Sequence, residues 1–210
     1  MVREPQNYVR GNIDRNQVGN ISPNNCPHNA GYIIDTPTAI SRGIHLATSD
    51  DEAIGFAALN SFGLMGGPPF SLDTLKSNVA KYRAINSSGS DKFMLARFFF
   101  VASTKDEAIA EALPFIRTFS QRMKMLSAKA QKCGNSSQHL QASSSQKSIF
   151  DEDQLLENSI IGDVATCRDK IKRFQDELNL GTLALKPASL NLQKNLESLT
   201  RYNEEVRTYV

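Results

Sequence analysis

Phe98-Phe99-Phe100-Val101-Ala102-Ser103-Thr104-Lys105-Asp106-Glu107-Ala108-Ile109 decides how this chain is to be read. Its first five residues are an unbroken apolar run, the pattern of a strand buried on both faces, as in parallel sheets. Thr104 and Glu107 then have the Ser/Thr-x-x-Glu spacing of a capping box, which opens a helix by satisfying its orphan N–H groups. The same arrangement stands upstream. Gly43-Ile44-His45-Leu46-Ala47 reads as a short buried strand, and Ser49 with Glu52 repeats the box. Asp-Glu-Ala-Ile recurs at 51–54 and 106–109, each time just after a strand ending in alanine. Two strand–box–helix units imply a repeated β/α architecture.

Working outward, Ile54, Ala57, Ala58 and Phe62 give the first helix an apolar stripe, and Gly63 reads as its stop. Leu72, Leu75, Val79 and Tyr82 mark a second helix. Val164, Cys167, Ile171, Phe174 and Leu178 fall at i, i+3, i+7, i+10 and i+14, one face of an amphipathic helix with Asp163 as N-cap and Gly181 as stop. Thr182 to Lys186 reads as a strand, and Leu192, Leu196, Leu199 and Val206 mark a last helix. The alternation predicts an α/β fold with parallel strands at 44–47, 93–102 and 182–186, plus a short one near Gly63–Met65. Helices are predicted at 50–62, 72–86, 105–130, 163–179 and 192–207. Leu192, Leu196 and Leu199 are expected to pack against the helix that carries Ile171 and Phe174. Gly66-Gly67-Pro68-Pro69 reads as a sharp loop after the Gly63–Met65 segment; the alternative is a loop that shapes a pocket rim.

Two stretches lack such periodicity. Residues 1–42, rich in Asn, Pro, Gly and Arg, read as an irregular N-terminal arm, and 134–148, rich in Ser and Gln, as a mobile surface loop. The domain proper is therefore 43–210.

Of the 210 residues, 40% are hydrophobic and 22% charged, and the net charge is +2, enough length for one core and no basic excess to call for nucleic acid or an anionic membrane. No apolar run reaches the ~18 residues of a membrane span. The first residues lack the apolar stretch of a signal peptide. Cys26, Cys133 and Cys167 are odd in number and far apart, which argues against a disulfide framework and for the reducing cytoplasm.

No strong catalytic or metal-binding motif is present: there is no GxGxxG, Walker loop, HExxH or CxxC. His28, His45 and His139 stand in unrelated contexts, and His45, inside a strand, reads as a core or barrel-lining residue. Cys167 reads as packing. The junction Ala47-Thr48-Ser49 is the candidate site, because a strand end meeting a helix N-terminus is where α/β proteins place phosphates. The bland alternative is that Ser49 only caps its own helix. The acidic run Asp50-Asp51-Glu52, which opposes an anion, favours that alternative.

Three stretches resemble the bacterial luciferase-like, flavin-dependent monooxygenases. They are Ala47-Thr48-Ser49 with Phe56-Ala57-Ala58 and Gly63-Leu64-Met65; Phe98 to Leu113; and Ile161-Gly162-Asp163 to Leu185. The ending Asn195-Leu196-Glu197-Ser198-Leu199 to Val206 is similar to the family's own. The resemblance covers about residues 43 to 210 and implies a TIM-barrel-like (β/α)8 architecture. It also implies reduced flavin mononucleotide (FMN) at the C-terminal ends of the strands, and an oxygen atom delivered to a small-molecule substrate, a long-chain aldehyde in the luciferases. By the same resemblance Thr48 and Ser49 fall where the family contacts the flavin phosphate, with Glu52 a departure from its usual small or hydroxyl residue.

A full (β/α)8 barrel takes about 250 residues. The strands found here match its C-terminal part, an incomplete barrel. The resemblance thus implies a truncated or split monooxygenase, in a homo- or hetero-oligomer and served by a flavin reductase. The other function class is a non-catalytic flavin-binding protein or an inactive remnant.

Overall fold

The apolar run around Phe98 forms the central strand, β3 (Phe93–Val101). The computed structural model of the chain describes residues 43–87, 92–132 and 148–207. In chain order the elements are β1 (His45–Ala47), α1 (Asp51–Leu59), β2 (Gly63–Gly66), α2 (Leu72–Ile85), β3, α3 (Lys105–Lys132), α4 (Glu152–Glu157), β4 (Ile160–Gly162), α5 (Val164–Leu178), β5 (Thr182–Pro187) and α6 (Leu192–Arg201). A π-helical turn, Tyr202–Val206, continues α6. The expected arm and the polar loop up to residue 147 lie outside the described residues, as do Cys26, His28, Cys133 and His139.

Every pairing in the sheet is parallel. β1 pairs with β2, and β2 with the start of β3. Met94 and Leu95 pair with both β2 and β5, so those two strands lie on opposite edges of β3. Phe99 is shared by β4 and β5, so β4 continues the edge that β2 leaves. The result is an open arc, β1-β2-β3-β5, and not a closed barrel. The predicted parallel α/β fold is observed, and the short strand near Gly63–Met65 is real.

β3 alternates between two cores, as strand geometry requires. Phe93, Leu95, Phe99 and Val101 join Ile54 and Ala57 of α1, Leu75 and Val79 of α2, and Cys167, Ile171 and Phe174 of α5. Phe98 and Phe100 turn the other way, onto Ala108, Ala112 and Ile116 of α3 and Leu155 of α4. Burying each such phenylalanine contributes roughly 1.5–3 kcal/mol. Cys167 lies on the apolar face of α5 as packing, and burial pushes its thiol pKa up to about 12.

Several boundaries differ from the sequence reading, each for a local reason. Asp50, not Ser49, is the N-cap of α1: its carboxylate accepts from the Ala53 N–H at 3.0 Å. A charged acceptor answers both the orphan donor and the helix dipole. α1 ends at Leu59, because Ser61 adopts a left-handed φ of 57° and turns the chain. Gly63 is therefore the first residue of β2 and not the helix stop. α5 stops at Asn179, also left-handed at φ 49°, two residues before Gly181. The sequence reading missed α4 and β4. With six and three residues they are too short to carry a period.

The expected packing of Leu192 and Leu196 is wrong. They are 73% and 50% exposed. Leu199, the third expected residue, does pack against the core that holds Ile171 and Phe174, and Tyr202 and Val206 join it there. The buried Ser198 of α6 accepts a hydrogen bond from the Val101 N–H at 2.8 Å, a ladder rung beyond the point where β5 has ended.

Candidate functional site

Because all strands are parallel, their C-terminal ends point the same way, with Thr48 and Gly67 following strands that end level with Met94 and Leu95, and Ala102 and Ala188 lying further along β3 and β5. The face of the sheet turned away from α1, α2 and α5 lies below these ends. The register runs Ala47–Met65–Met94–Thr182 across this face, then Ala96–Ala184, then Phe98–Lys186. Ala47 is exposed and Met65, Met94 and Ala184 are half-buried, so apolar side chains stand partly open there. His45 belongs to this face, as expected of a barrel-lining residue. Its Nδ1 lies 3.2 Å from the Gly43 carbonyl oxygen. Its imidazole covers Gly63 so closely that a Cβ at position 63 would overlap the ring.

α3 roofs the far side of this face. Phe98 meets Phe115 and Phe119 edge to face, with centroids 5.3 and 4.8 Å apart. The ammonium of Lys186 sits 5.3, 5.7 and 5.6 Å from the rings of Phe98, Phe115 and Phe119. A cation over a ring at an exposed site contributes about 0.5–1 kcal/mol. The sequence reading did not single out Lys186. A lone cation in the apolar run Leu183-Ala184-Leu185 was the available signal.

Arg97 was also missed, although it is the one charged residue in β3. It is fully buried, on the side of α5. Nη1 donates to the Gly67 carbonyl at 2.7 Å and Nη2 to the Phe70 carbonyl at 3.0 Å, while Nε has no partner. The guanidinium lies 5.1 Å from the Phe174 ring centre. Burial lowers its pKa to about 10, which leaves it charged at neutral pH. Its work is to pin the Gly67–Phe70 loop at the rim. Lys170 does the same for the loop before β4: its Nζ donates to the Ser159 carbonyl at 2.6 Å and the Glu157 carbonyl at 3.2 Å. Burial lowers the Lys170 pKa too. Asn158 joins the loops by donating to the Pro69 carbonyl at 3.2 Å.

A cavity of about 530 Å³ opens between the end of β3, the first turns of α3 and α6. Ser103, Glu107, Glu111, Lys194, Ser198 and Arg201 line it. Its charges answer one another. Glu111 pairs with Lys194 and accepts from the Ser189 hydroxyl at 2.6 Å. Those hydrogen bonds, Lys194 first, hold the Glu111 carboxyl below its ordinary value. Arg201 donates to the Ser103 hydroxyl at 3.0 Å. Such a cleft is a polar seam between helices, with its acids and bases already engaged.

Thr48 and Ser49 lie together at the end of β1, at the start of α1. The Thr48 hydroxyl accepts from the Asp50 N–H at 3.1 Å. Ser49 is buried and is not the cap. Asp51 is neutralised by Lys81 at 2.6 Å.

A parallel sheet with helices behind it, an open inner face and a rim of strand ends is TIM-barrel-like architecture. The luciferase-like monooxygenase profile matches residues 15–178, and the chain belongs to that family. The match begins before residue 43, where the resemblance in the sequence begins. Among solved structures the chain is similar to the oxygenating constituent of 3,6-diketocamphane monooxygenase, a type II Baeyer–Villiger monooxygenase from the CAM plasmid of Pseudomonas putida, solved in complex with FMN. The identity is 18% and the TM-score 0.54, over 79% of this chain and 48% of that one. It is also similar to apo-MsnO8, at 14% identity and TM-score 0.51, over 79% of this chain and 51% of that one. At these identities the likeness is one of fold, and the chain spans about half the length of either structure. No curated protein matches it. Among the described residues no helix is long and apolar enough to cross a membrane.

Proposed function

We propose that the chain is the flavin-holding part of a luciferase-like monooxygenase, binding FMN on the open face with its phosphate at Thr48 and Ser49. The observation that carries this reading is the row Ala47–Met65–Met94 with Ala184. These apolar side chains are exposed or half-buried on the face that faces no helix of the α1, α2 and α5 layer. A flat, largely apolar ring fits such a surface. Bound reduced FMN supplies the reaction of oxygen with an organic small molecule. The chain's own residues bind and orient. The hydroxyls at 48 and 49 meet the phosphate, the alanines let the ring approach the backbone, and Arg97 fixes the neighbouring loop. α3 shields the inner face from water beside Phe98.

The acidic start of α1 makes the phosphate contact a modest one, through neutral hydrogen bonds worth ~0.5–1.5 kcal/mol each. Ser49→Ala is expected to weaken FMN roughly threefold to tenfold, by the factor of ten per 1.4 kcal/mol, and to leave riboflavin unchanged. Fluorescence titration with both ligands tests it. Equal losses for the two make Ser49 a structural residue only. In this reading a second polypeptide, a like or unlike copy, completes the barrel. A flavin reductase delivers reduced FMN, and the setting is the cytoplasm. The second reading, a flavin-binding protein without turnover, draws on the open five-stranded sheet, which among the described residues surrounds a ligand on one side only. Oxygen consumption with product formation, against flavin binding alone, separates the two.

A further inference from the structure

We infer that the polypeptide completing the barrel is a second copy of this chain, related by a two-fold axis along the strands that sets β1 of each copy beside β5 of the other. This rests on the reading above, in which a second polypeptide closes the site, and names that polypeptide.

Three observations lead there. First, the strands fit. β2 and β4 share one edge of β3, so the sheet is four strands across, β1-β2-β3-β5, all parallel. A (β/α)8 barrel is eight strands round, so two such arcs make one ring. A two-fold axis along the strands keeps every strand parallel and brings unlike edges together, twice. Among the described residues nothing pairs with the outer edge of β1 or of β5, and an open edge is a template for another strand. On β1 the Ile44 carbonyl accepts from the Gly63 N–H at 2.7 Å. By alternation the backbone groups of His45 and Ala47 point outward.

Second, the helices follow the same arc. Lys81 and Asp51 tie α2 to α1, and Lys76 and Glu177 tie α2 to α5. Arg168 of α5 donates to the Glu205 carbonyl, in the turn after α6, at 2.9 Å. α1 and α6 are thus the end helices, and most of the exposed apolar surface is theirs. Of eight exposed large apolar side chains among the described residues, five (Phe56, Leu59, Leu190, Leu192 and Leu196) lie on α1, on α6 or just before α6. On α6, Lys194 turns to Glu111, Arg201 to Ser103, and Ser198 and Leu199 to the sheet. Leu192 lies on the remaining flank. In the ring that flank meets α1 of the other copy, so two apolar surfaces leave water together.

Third, the site gains its missing side. The two-fold sets the row Ala47–Met65–Met94 and Ala184 opposite its own copy. The interior of an eight-stranded barrel has room for one small ligand. The two copies therefore share one flavin, although each brings a Thr48–Ser49 junction to the mouth.

The first test is the mass of the purified full chain, by light scattering with and without FMN. Twice 23.2 kDa is expected. A chain that stays single at every concentration up to about 0.1 mM overturns the inference and leaves the missing side to an unlike chain. Phe56→Glu on α1 and Leu192→Lys on α6 should each give a monomer that is folded by circular dichroism. Each should raise the dimer dissociation constant about a hundredfold or more, through an unpaired charge in both seams. Phe56 also touches Phe62, so Leu59→Glu takes its place should that variant unfold. Mixed in equal amounts, the α1 and α6 variants should dimerise again, because one seam then joins opposite charges and the other is wild type. Failure to dimerise on mixing overturns the α1-to-α6 ring. FMN titrated into the dimer should saturate at one flavin per two chains, and one per chain overturns the shared interior. A single chain that binds FMN sinks the ring and keeps the flavin reading. A dimer that passes the mixing test and binds no FMN keeps the ring and sinks the flavin reading.

Discussion

The two strand–helix junctions at 47–54 and 102–109 share Asp-Glu-Ala-Ile, yet they start their helices differently. At the β3 junction Thr104 and Glu107 form a reciprocal box: the Glu107 N–H donates to the Thr104 hydroxyl and the Thr104 N–H to the Glu107 carboxylate, both at 3.2 Å. At the β1 junction Asp50 stands where the other copy has Lys105, and it takes the cap one residue later. Ser49, the counterpart of Thr104, is thereby released from capping. The strand ends differ in support as well. β3 is buttressed by Arg97 beneath the rim and by Ser198 at its last rung. The described residues give β1 no such props. One copy of the motif has become framework, and the other keeps polar groups at the rim.

Breaking the framework copy should be costly. Arg97→Ala leaves the Gly67 and Phe70 carbonyls without their donor and opens a cavity, and about 3 kcal/mol of stability should be lost. Denaturant unfolding measures it. A loss below about 1 kcal/mol would mean that the Gly67–Phe70 loop holds its own shape. Ser198→Ala strands the buried Val101 N–H and should cost about 1–3 kcal/mol, with faster hydrogen exchange at that amide. The caps sharpen the contrast. Thr104→Ala should cost about 1 kcal/mol, and Asp50→Ala about 0.5 kcal/mol, because Ser49 and Glu52, on either side of it, stand ready as a substitute box. Equal losses would show that the junctions do not differ in this way.

A smaller effect lies in the acid limb. The folded Glu111 carboxyl is held below its ordinary value by Lys194 and then Ser189. Its contribution is therefore complete above the ordinary glutamate range and is lost as pH falls through it towards the folded value. Tm followed against pH should slope less in Glu111→Gln than in wild type. Leu196→Ala should change stability by less than about 0.5 kcal/mol, since the side chain is half exposed.

The fold was legible in the sequence where burial leaves a period. Phe98 to Ala102 could only be an inner strand, and the Val164 to Leu178 stripe could only be a helix facing the sheet. Ile160-Ile161, two apolar residues long, had no period to read. Leu192 and Leu196 had the right spacing and the wrong neighbours. Four-residue spacing marks one side of a helix without saying whether anything covers that side. Of the candidate site, Thr48, Ser49 and His45 were visible because their strand was. Lys186 and Arg97 were not, because a cation inside an apolar run says nothing of which face it takes until the register is known.

The rung between Val101 and Ser198 has a consequence for how the chain folds. Its partners are 97 residues apart in sequence, and loop closure over such a distance is slow. During synthesis β1, β2 and β3 emerge early and can pair at once. The end of β3 then waits with an unpaired amide until α6 has left the ribosome. Until that moment the nascent sheet displays a sticky edge, which a chaperone is suited to cover.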